Sequence, residues 1–199
     1  MSILVIAEHN NEELQAATAN ALSAAKLLSE KTGFKVSLLI AGYKCAGVAA
    51  TAAAIAGVDK VLLADCPALE NQLAENLAPY IVALVNQKSF SYVMAPATTT
   101  AKNVLPRTAA LLDVAQISDV IDIVDGDNFV RPIYAGSALE TLKSSDAIKI
   151  MTIRASAFDA VGLTGGEASV ENLPAAADMG LSRFISESVI ASDRPELSN

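Results

Sequence analysis

The chain has 199 residues, 52% of them hydrophobic and 18% charged, with a formal net charge of -8. That length suits one large domain, or one domain with a small appendage, and the apolar content supplies a packed core rather than a disordered chain. The acidic balance and the lack of a basic run argue against nucleic acid and anionic membrane as partners. No window holds the ~18 consecutive apolar residues of a membrane-spanning helix.

The apolar run "ILVIAE" (Ile3 to Glu8) has the pattern of a strand buried on both faces. A helix follows, capped by Asn10 or Asn11, with Glu12 and Glu13 in its first turn. Leu14, Ala17, Ala21, Ala24 and Leu28 recur at helical spacing, and Gly33 closes the helix where a left-handed residue is needed. "KVSLLIAG" (Lys35 to Gly42) predicts a second buried strand, and "CAGVAATAAAIAG" a short helix ending at Gly57. "KVLLAD" (Lys60 to Asp65) predicts a third strand. The helix after it is kinked or restarted at Pro79. "SYVMAPA" (Ser91 to Ala97) is a fourth strand, and a threonine-capped helix containing Pro106 follows it. Four strand–helix alternations imply a parallel sheet with helices on both faces.

The pattern then changes. Strand-like runs are separated by "DGDN" (Asp125 to Asn128) and "KSSD" (Lys143 to Asp146), which predicts an antiparallel extension of the sheet. Val161 to Gly180 is small and polar and reads as a surface loop. "LSRFISESVIA" (Leu181 to Ala191) predicts one more strand, and "SDRPELSN" a linker.

Chemistry-bearing motifs are sparse. The one histidine, His9, lies at the carboxyl edge of the first strand, where open α/β sheets bind ligands, yet no companion motif is visible. It is expected as an exposed loop residue. "GLTGGEAS" (Gly162 to Ser169) lacks both standard phosphate-loop spacings. The turn "AEHNNEE" has no glycine and is acidic, which disfavours a pyrophosphate. "ATTTAK" (Ala97 to Lys102) offers hydroxyls and a charge at a helix start, but plain threonine capping accounts for it. Asp65, Asp113, Asp119, Asp122 and Asp125 share no catalytic spacing and read as solvated. Cys45 and Cys66 have no metal-type spacing and read as reduced, partly buried thiols. No catalytic set, metal site or phosphate loop emerges. "MSILVIAEHN" is no signal peptide, so bacterial cytoplasm is the expected compartment, with a processed organelle protein left open.

Several stretches nevertheless resemble a known family, in order along the whole chain. "ILVIAEH", "VMAPATTTAKNVLPRTAALLDVAQISDV", "FVRPIYAGSALETL", "IKIMTIRASAFDA" and "SDRPEL" are similar to segments of the electron transfer flavoprotein alpha subunit. Ala101 and Ser137 depart from that pattern, where glycine and asparagine are usual. The resemblance implies a Rossmann-like, adenine nucleotide alpha hydrolase-like three-layer sandwich over residues 1–190. Residues 191–199 would be a linker toward an FAD-binding domain whose motifs the sequence lacks. It implies a heterodimer with a beta subunit, one FAD in the heterodimer but not in this fragment, and AMP in the beta subunit. It also implies electron transfer from acyl-CoA and other flavin dehydrogenases to a membrane quinone reductase, with no catalytic set on this chain. Arg131, Pro132 and Tyr134 are then expected to be structural and interface residues. Arg131 pairs with a carboxylate across the interface or stays solvated. The rival reading is a free-standing adenine-nucleotide-binding α/β protein.

Overall fold

The computed structural model describes residues 1–188. The chain begins β1 (Ser2–Ile6), α1 (Ala16–Thr32), β2 (Lys35–Gly42), α2 (Ala46–Ala53), β3 (Lys60–Asp65), α3 (Ala74–Lys88), β4 (Tyr92–Pro96) and α4 (Thr99–Leu111). It continues as β5 (Gln116–Val120), β6 (Asp122–Ile123), β7 (Asn128–Ile133), β8 (Ala138–Lys143), β9 (Lys149–Ile153) and β10 (Ser169–Asn172). Seven strands form one sheet in the order β10-β3-β2-β1-β4-β9-β5, with every pairing parallel. β6, β7 and β8 form a separate antiparallel sheet. The fold is thus an α/β, Rossmann-like three-layer sandwich with a small antiparallel sheet beside it.

The strands alternate their apolar side chains between two cores. Ile3 and Val5 face the layer containing α1 and α2, while Leu4 and Ile6 face the layer containing α3 and α4. Parallel strands between two helical layers must be apolar on both faces, which explains the unbroken hydrophobic runs. Ala21, Ala24 and Ala25 on α1 are fully buried, and their small side chains let the helix approach the sheet closely. Phe129 of β7 is also fully buried and belongs to the α1–α2 core, so it pins the small sheet to the large one. Ile121 N donates to Val130 O at 2.9 Å along the same junction.

Sequence expectations and structure differ at several places. Helix α1 starts at Ala16, not at Asn10 or Asn11. Asn10 Oδ1 accepts from the Glu12 and Glu13 amides at 3.0 and 2.7 Å, and so closes a turn instead. The helix does end at Gly33, which has φ +72° and donates to Ser29 O. Helices α3 and α4 run uninterrupted through Pro79 and Pro106. Strand β9 lies inside the parallel sheet, between β4 and β5.

The loop expected over Val161 to Gly180 contains β10, which pairs parallel with β3. No strand occupies 181–188, although one was expected from Leu181. The end of that expected strand and the linker at 191–199 fall outside the described residues.

The chain after β9 wraps both helical layers. Asn20 Nδ2 donates to Phe158 O at 2.6 Å, and the Gly166 and Ala168 amides donate to Ala54 O and Ala53 O, so 158–168 crosses α1 and α2. A Cβ on Gly166 would collide with the Ile55 backbone carbonyl, so only glycine allows that approach. After β10, Leu173 N donates to Leu63 O, and the chain turns over α3. No helix among the described residues is long and apolar enough to cross a membrane.

Candidate functional site

The strand order reverses between β1 and β4, because β2 and β3 lie on one side of β1 while β4 and β9 lie on the other. The connections leaving β1 and β4 therefore diverge and open a crevice at the carboxyl edge. It measures about 640 Å³ and is lined by His9, Asn10 and Asn11 after β1 and by residues 70–75 before and in α3. Thr99, Thr100 and Asn103 of α4 and the later residues Ser182, Phe184 and Glu187 complete it.

His9 is 5% exposed, so the expectation of an exposed loop histidine is overturned. The cause is a close approach by β2. A Cβ on Gly42 would collide with the Asn11 side chain and lie 2.8 Å from His9 Cε1, so the missing side chain lets the His9 loop fold onto that strand. His9 also bridges to Leu14 across the loop. Nδ1 accepts from the Asn11 amide at 3.1 Å, which fixes a neutral imidazole with its proton on Nε2. Nε2 makes no hydrogen bond of normal geometry. Burial pushes the imidazole down to about 4, partly opposed by the Ala41 carbonyl.

Asn11 holds the loop from the other side. Its Nδ2 donates to Glu70 O at 2.9 Å and its Oδ1 accepts from the Tyr43 amide at 3.0 Å. Gln72 Nε2 donates to His9 O at 3.1 Å. The crevice floor is thus a web of neutral amides.

The "ATTTAK" segment sits opposite. Thr98 is the N-cap of α4, its Oγ1 accepting from the Ala101 amide at 3.4 Å, as simple capping predicts. Thr99 and Thr100 face the crevice, but Lys102 is exposed and does not line it. The Ala101 methyl is buried where a glycine would leave the backbone open.

Charge decides what the crevice suits. Glu70, Glu75 and Glu187 line it, and among the described residues neither lysine nor arginine does, although Arg107 Nη1 reaches Glu75 Oε1 at 3.2 Å from beside it. Glu8, one residue before His9, has a buried carboxylate oxygen with no partner but does not line the crevice. The Ser182 hydroxyl, its foremost partner, holds the Glu75 carboxyl below the usual range, so that carboxylate stays charged. A dinucleotide pyrophosphate needs cations or several free amides in a glycine-rich turn. This crevice is lined by three carboxylates and no glycine-rich turn, so its residues do not suit a pyrophosphate such as that of FAD.

The aspartates read as solvated are partly structural. Asp65 accepts from the Lys44 and Cys45 amides at 2.6 and 3.2 Å, satisfying the entry to α2. Asp119, at φ +63° on the irregularity of β5, forms a two-point ion pair with Arg154. Asp125 Oδ1 accepts from the Asp127 and Asn128 amides and closes the "DGDN" turn. Cys45 and Cys66 are both free and buried, and burial, with Asp65 nearby, pushes the Cys45 thiol up to about 11. No group of metal-ligating side chains gathers among the described residues.

Arg131, Pro132 and Tyr134 lie on the small sheet, away from the crevice. Arg131 Nε pairs with Glu140 Oε2 at 2.8 Å, so its carboxylate partner sits on the neighbouring strand β8 of the same chain. Pro132 lies opposite Leu139 on β8, beyond the stretch of β7 that β6 covers, where its missing N–H breaks no ladder. Tyr134 is 82% exposed and stands on a turn in which Tyr134, Ala135 and Gly136 all have positive φ. Gly136, at φ +88°, is the one of the three for which that conformation carries no Cβ penalty. Leu139 of β8, paired with Pro132, is also exposed.

Comparison with known proteins accounts for the pattern. A family model described as "Electron transfer flavoprotein domain" matches residues 3–178. The chain is 52% identical to the electron transfer flavoprotein subunit alpha of Pseudomonas aeruginosa, over 99% of this chain and 62% of that protein. It is 48% identical to the alpha subunit of Paracoccus denitrificans, over 100% of this chain and 62% of that protein. It is 40% identical to the mitochondrial alpha subunit of Dictyostelium discoideum, over 98% and 58%. The chain thus spans about three fifths of the length of the relatives it matches. With the family model matching residues 3–178 and alpha subunits matching over nearly the whole chain, the chain belongs to the electron transfer flavoprotein family, within its alpha subunits.

Proposed function

We propose that this chain is the scaffold part of an electron transfer flavoprotein alpha subunit, active in electron transport as a carrier component rather than an enzyme. The observation that carries the reading is the match to alpha subunits across essentially the whole chain. In this reading it pairs with a beta subunit, and the FAD of the heterodimer is held mainly outside residues 1–190. The acidic crevice supports that second point, because among the described residues its charged lining is Glu70, Glu75 and Glu187, and the cation nearest that lining, Arg107, is already paired with Glu75. AMP belongs to the beta subunit. The assembled carrier would take electrons from acyl-CoA and other flavin dehydrogenases, in fatty acid oxidation, and deliver them to a membrane quinone reductase. Bacterial cytoplasm is the proposed compartment.

The docking face is the small sheet bearing Arg131, Pro132 and Tyr134. Tyr134 and Leu139 are both large and exposed on this part of the chain, and a protruding tyrosine is a common interface anchor. The Arg131–Glu140 pair orders the strands beneath them without requiring a partner's carboxylate. The test is titration of this chain against its beta subunit, followed by light scattering. A stable one-to-one complex, weakened at least tenfold by Tyr134→Ala or by Arg131→Ala, is expected. A complex whose affinity neither change alters would remove the small sheet from the interface, and no complex at all would remove the scaffold reading.

One observation favours a second reading. His9, Thr99 and Thr100 do meet at the switch-point crevice, as a free-standing adenine-nucleotide-binding protein would need. Calorimetric titration with AMP separates the two, since saturable binding supports only this second reading.

A further inference from the structure

Residues 173–182 cross α3 as an extended strap that is held almost entirely by polar contacts to other segments. Among the described residues, no backbone hydrogen bond joins two residues of this stretch. Its apolar anchors are few: Leu173 and Ala176 pack partly against the α3–α4 core, whereas Met179 and Leu181 are exposed. Segments with few buried apolar contacts and no ladder of their own open at a fraction of the global stability.

One side chain gathers the contacts that remain. Asn76 of α3 is buried, yet every polar atom of its amide is engaged. Its Oδ1 accepts from the Met179 amide at 2.9 Å, and its Nδ2 donates to Ala68 O at 2.9 Å and to Asp178 Oδ1 at 3.3 Å. The other ties are more exposed. Tyr80 Oη donates to Pro174 O at 2.8 Å, and Ser182 Oγ donates to Glu75 Oε2 at 2.8 Å. The Ala176 amide donates to Cys66 Sγ at 3.3 Å, so the strap also roofs a thiol that is otherwise part of the core. Beyond Asn76 the same stretch reaches the crevice, where Ser182 and Phe184 form one wall.

We propose that 173–182 is a strap that opens as a unit from the folded domain, that Asn76 is its latch, and that opening withdraws the Ser182–Phe184 wall of the crevice. The crevice is then gated by the chain's own later segment. This device stands apart from the assignment to an electron carrier, because it needs neither flavin nor partner subunit.

The two cysteines make the proposal measurable. Cys66 lies under the strap, and Cys45 lies at the start of α2 in the opposite core. The full chain is reacted with N-ethylmaleimide under native conditions, and each site is followed by peptide mass spectrometry. Cys66 should react at least tenfold faster than Cys45, with a weak dependence on added urea, since local opening exposes little surface. Asn76→Ala should accelerate Cys66 about tenfold and leave Cys45 unchanged. Hydrogen exchange should quicken together over 173–181 and 182–187.

Equal rates at both cysteines with the same steep urea dependence would overturn the strap as a unit. An unchanged Cys66 rate in Asn76→Ala would overturn the latch. Exchange that quickens only before Ser182 would overturn the gated wall. If Asn76→Ala unfolds the domain, the paired change Tyr80→Phe with Ser182→Ala removes the two exposed ties instead. It must then raise the Cys66 rate alone, and equal acceleration of both thiols refutes the strap.

Discussion

The buried histidine gives the most direct quantitative prediction. His9 accepts a backbone hydrogen bond at Nδ1, so the proton it would gain on acidification must go where the Asn11 N–H already points. Protonation therefore costs both that bond and the burial of a charge. The imidazole is pushed down to about 4, while an unfolded histidine titrates near 6.5. The folded value is the lower one, so the unfolded state binds the proton first. The neutral imidazole's contribution is intact above pH ~6.5, shrinks as pH falls toward ~4, and is fully lost below that.

Linkage with these two values gives a loss of ~2 kcal/mol between pH ~7.5 and pH ~5. The assay is urea unfolding of the wild type and of His9→Gln at half-unit pH steps, with stability taken from linear extrapolation. Other titrating groups, including the carboxylates of Glu75 and Glu171 that are held below their usual range, act on both proteins and cancel in the difference. His9→Gln should be less stable at neutral pH and converge on the wild type toward pH ~5. Parallel curves over that range would refute the reasoning, because they would mean His9 titrates alike in both states.

Three further outcomes follow from packing and backbone contacts. Phe129→Ala should cost ~3–5 kcal/mol in equilibrium unfolding, because it empties a fully buried site joining the two sheets. Gly166→Ala should cost more than the ~1 kcal/mol of an ordinary loop change, because the new Cβ meets the Ile55 carbonyl rather than a yielding side chain. A matched Gly162→Ala control, with open space around it, should be near neutral. Asp65→Ala leaves the Lys44 and Cys45 amides without their acceptor, and should lower stability by ~1–2 kcal/mol by the same assay.

The parallel core was legible because its first four strands are largely apolar runs and α1 ends at a glycine, although α2 ends at Ala53 rather than at the expected Gly57. Lys35–Gly42 and Lys60–Asp65 have the boundaries read from sequence, and Gly33 terminates α1 through its left-handed backbone. Long-range placement was not legible. β10 reads "SVEN", too short and polar to announce a strand, and exists because 158–168 delivers it to the free edge of β3. Strand β9 follows a hairpin in sequence but enters the parallel sheet beside β4, which no local period encodes.

The site divides in the same way. Threonine capping of α4 could be read from residue types alone. The burial of His9 could not, because it depends on Gly42, thirty-odd residues away, letting the loop approach β2. A glycine at the end of an almost wholly buried strand was the one available signal. The strap's dependence on Asn76 was also hidden, since an asparagine on a helix reads as a surface residue until its partners are placed.

The proposed scaffold role requires that this chain hold no flavin by itself. The measurement that tests it is the visible absorption spectrum of the purified chain, with its intact mass, after incubation with excess FAD and desalting. At the mass of the 199-residue chain, the account predicts no flavin band. A tight, stoichiometric band at that mass would contradict it, and would place the cofactor on this domain despite the acidic crevice.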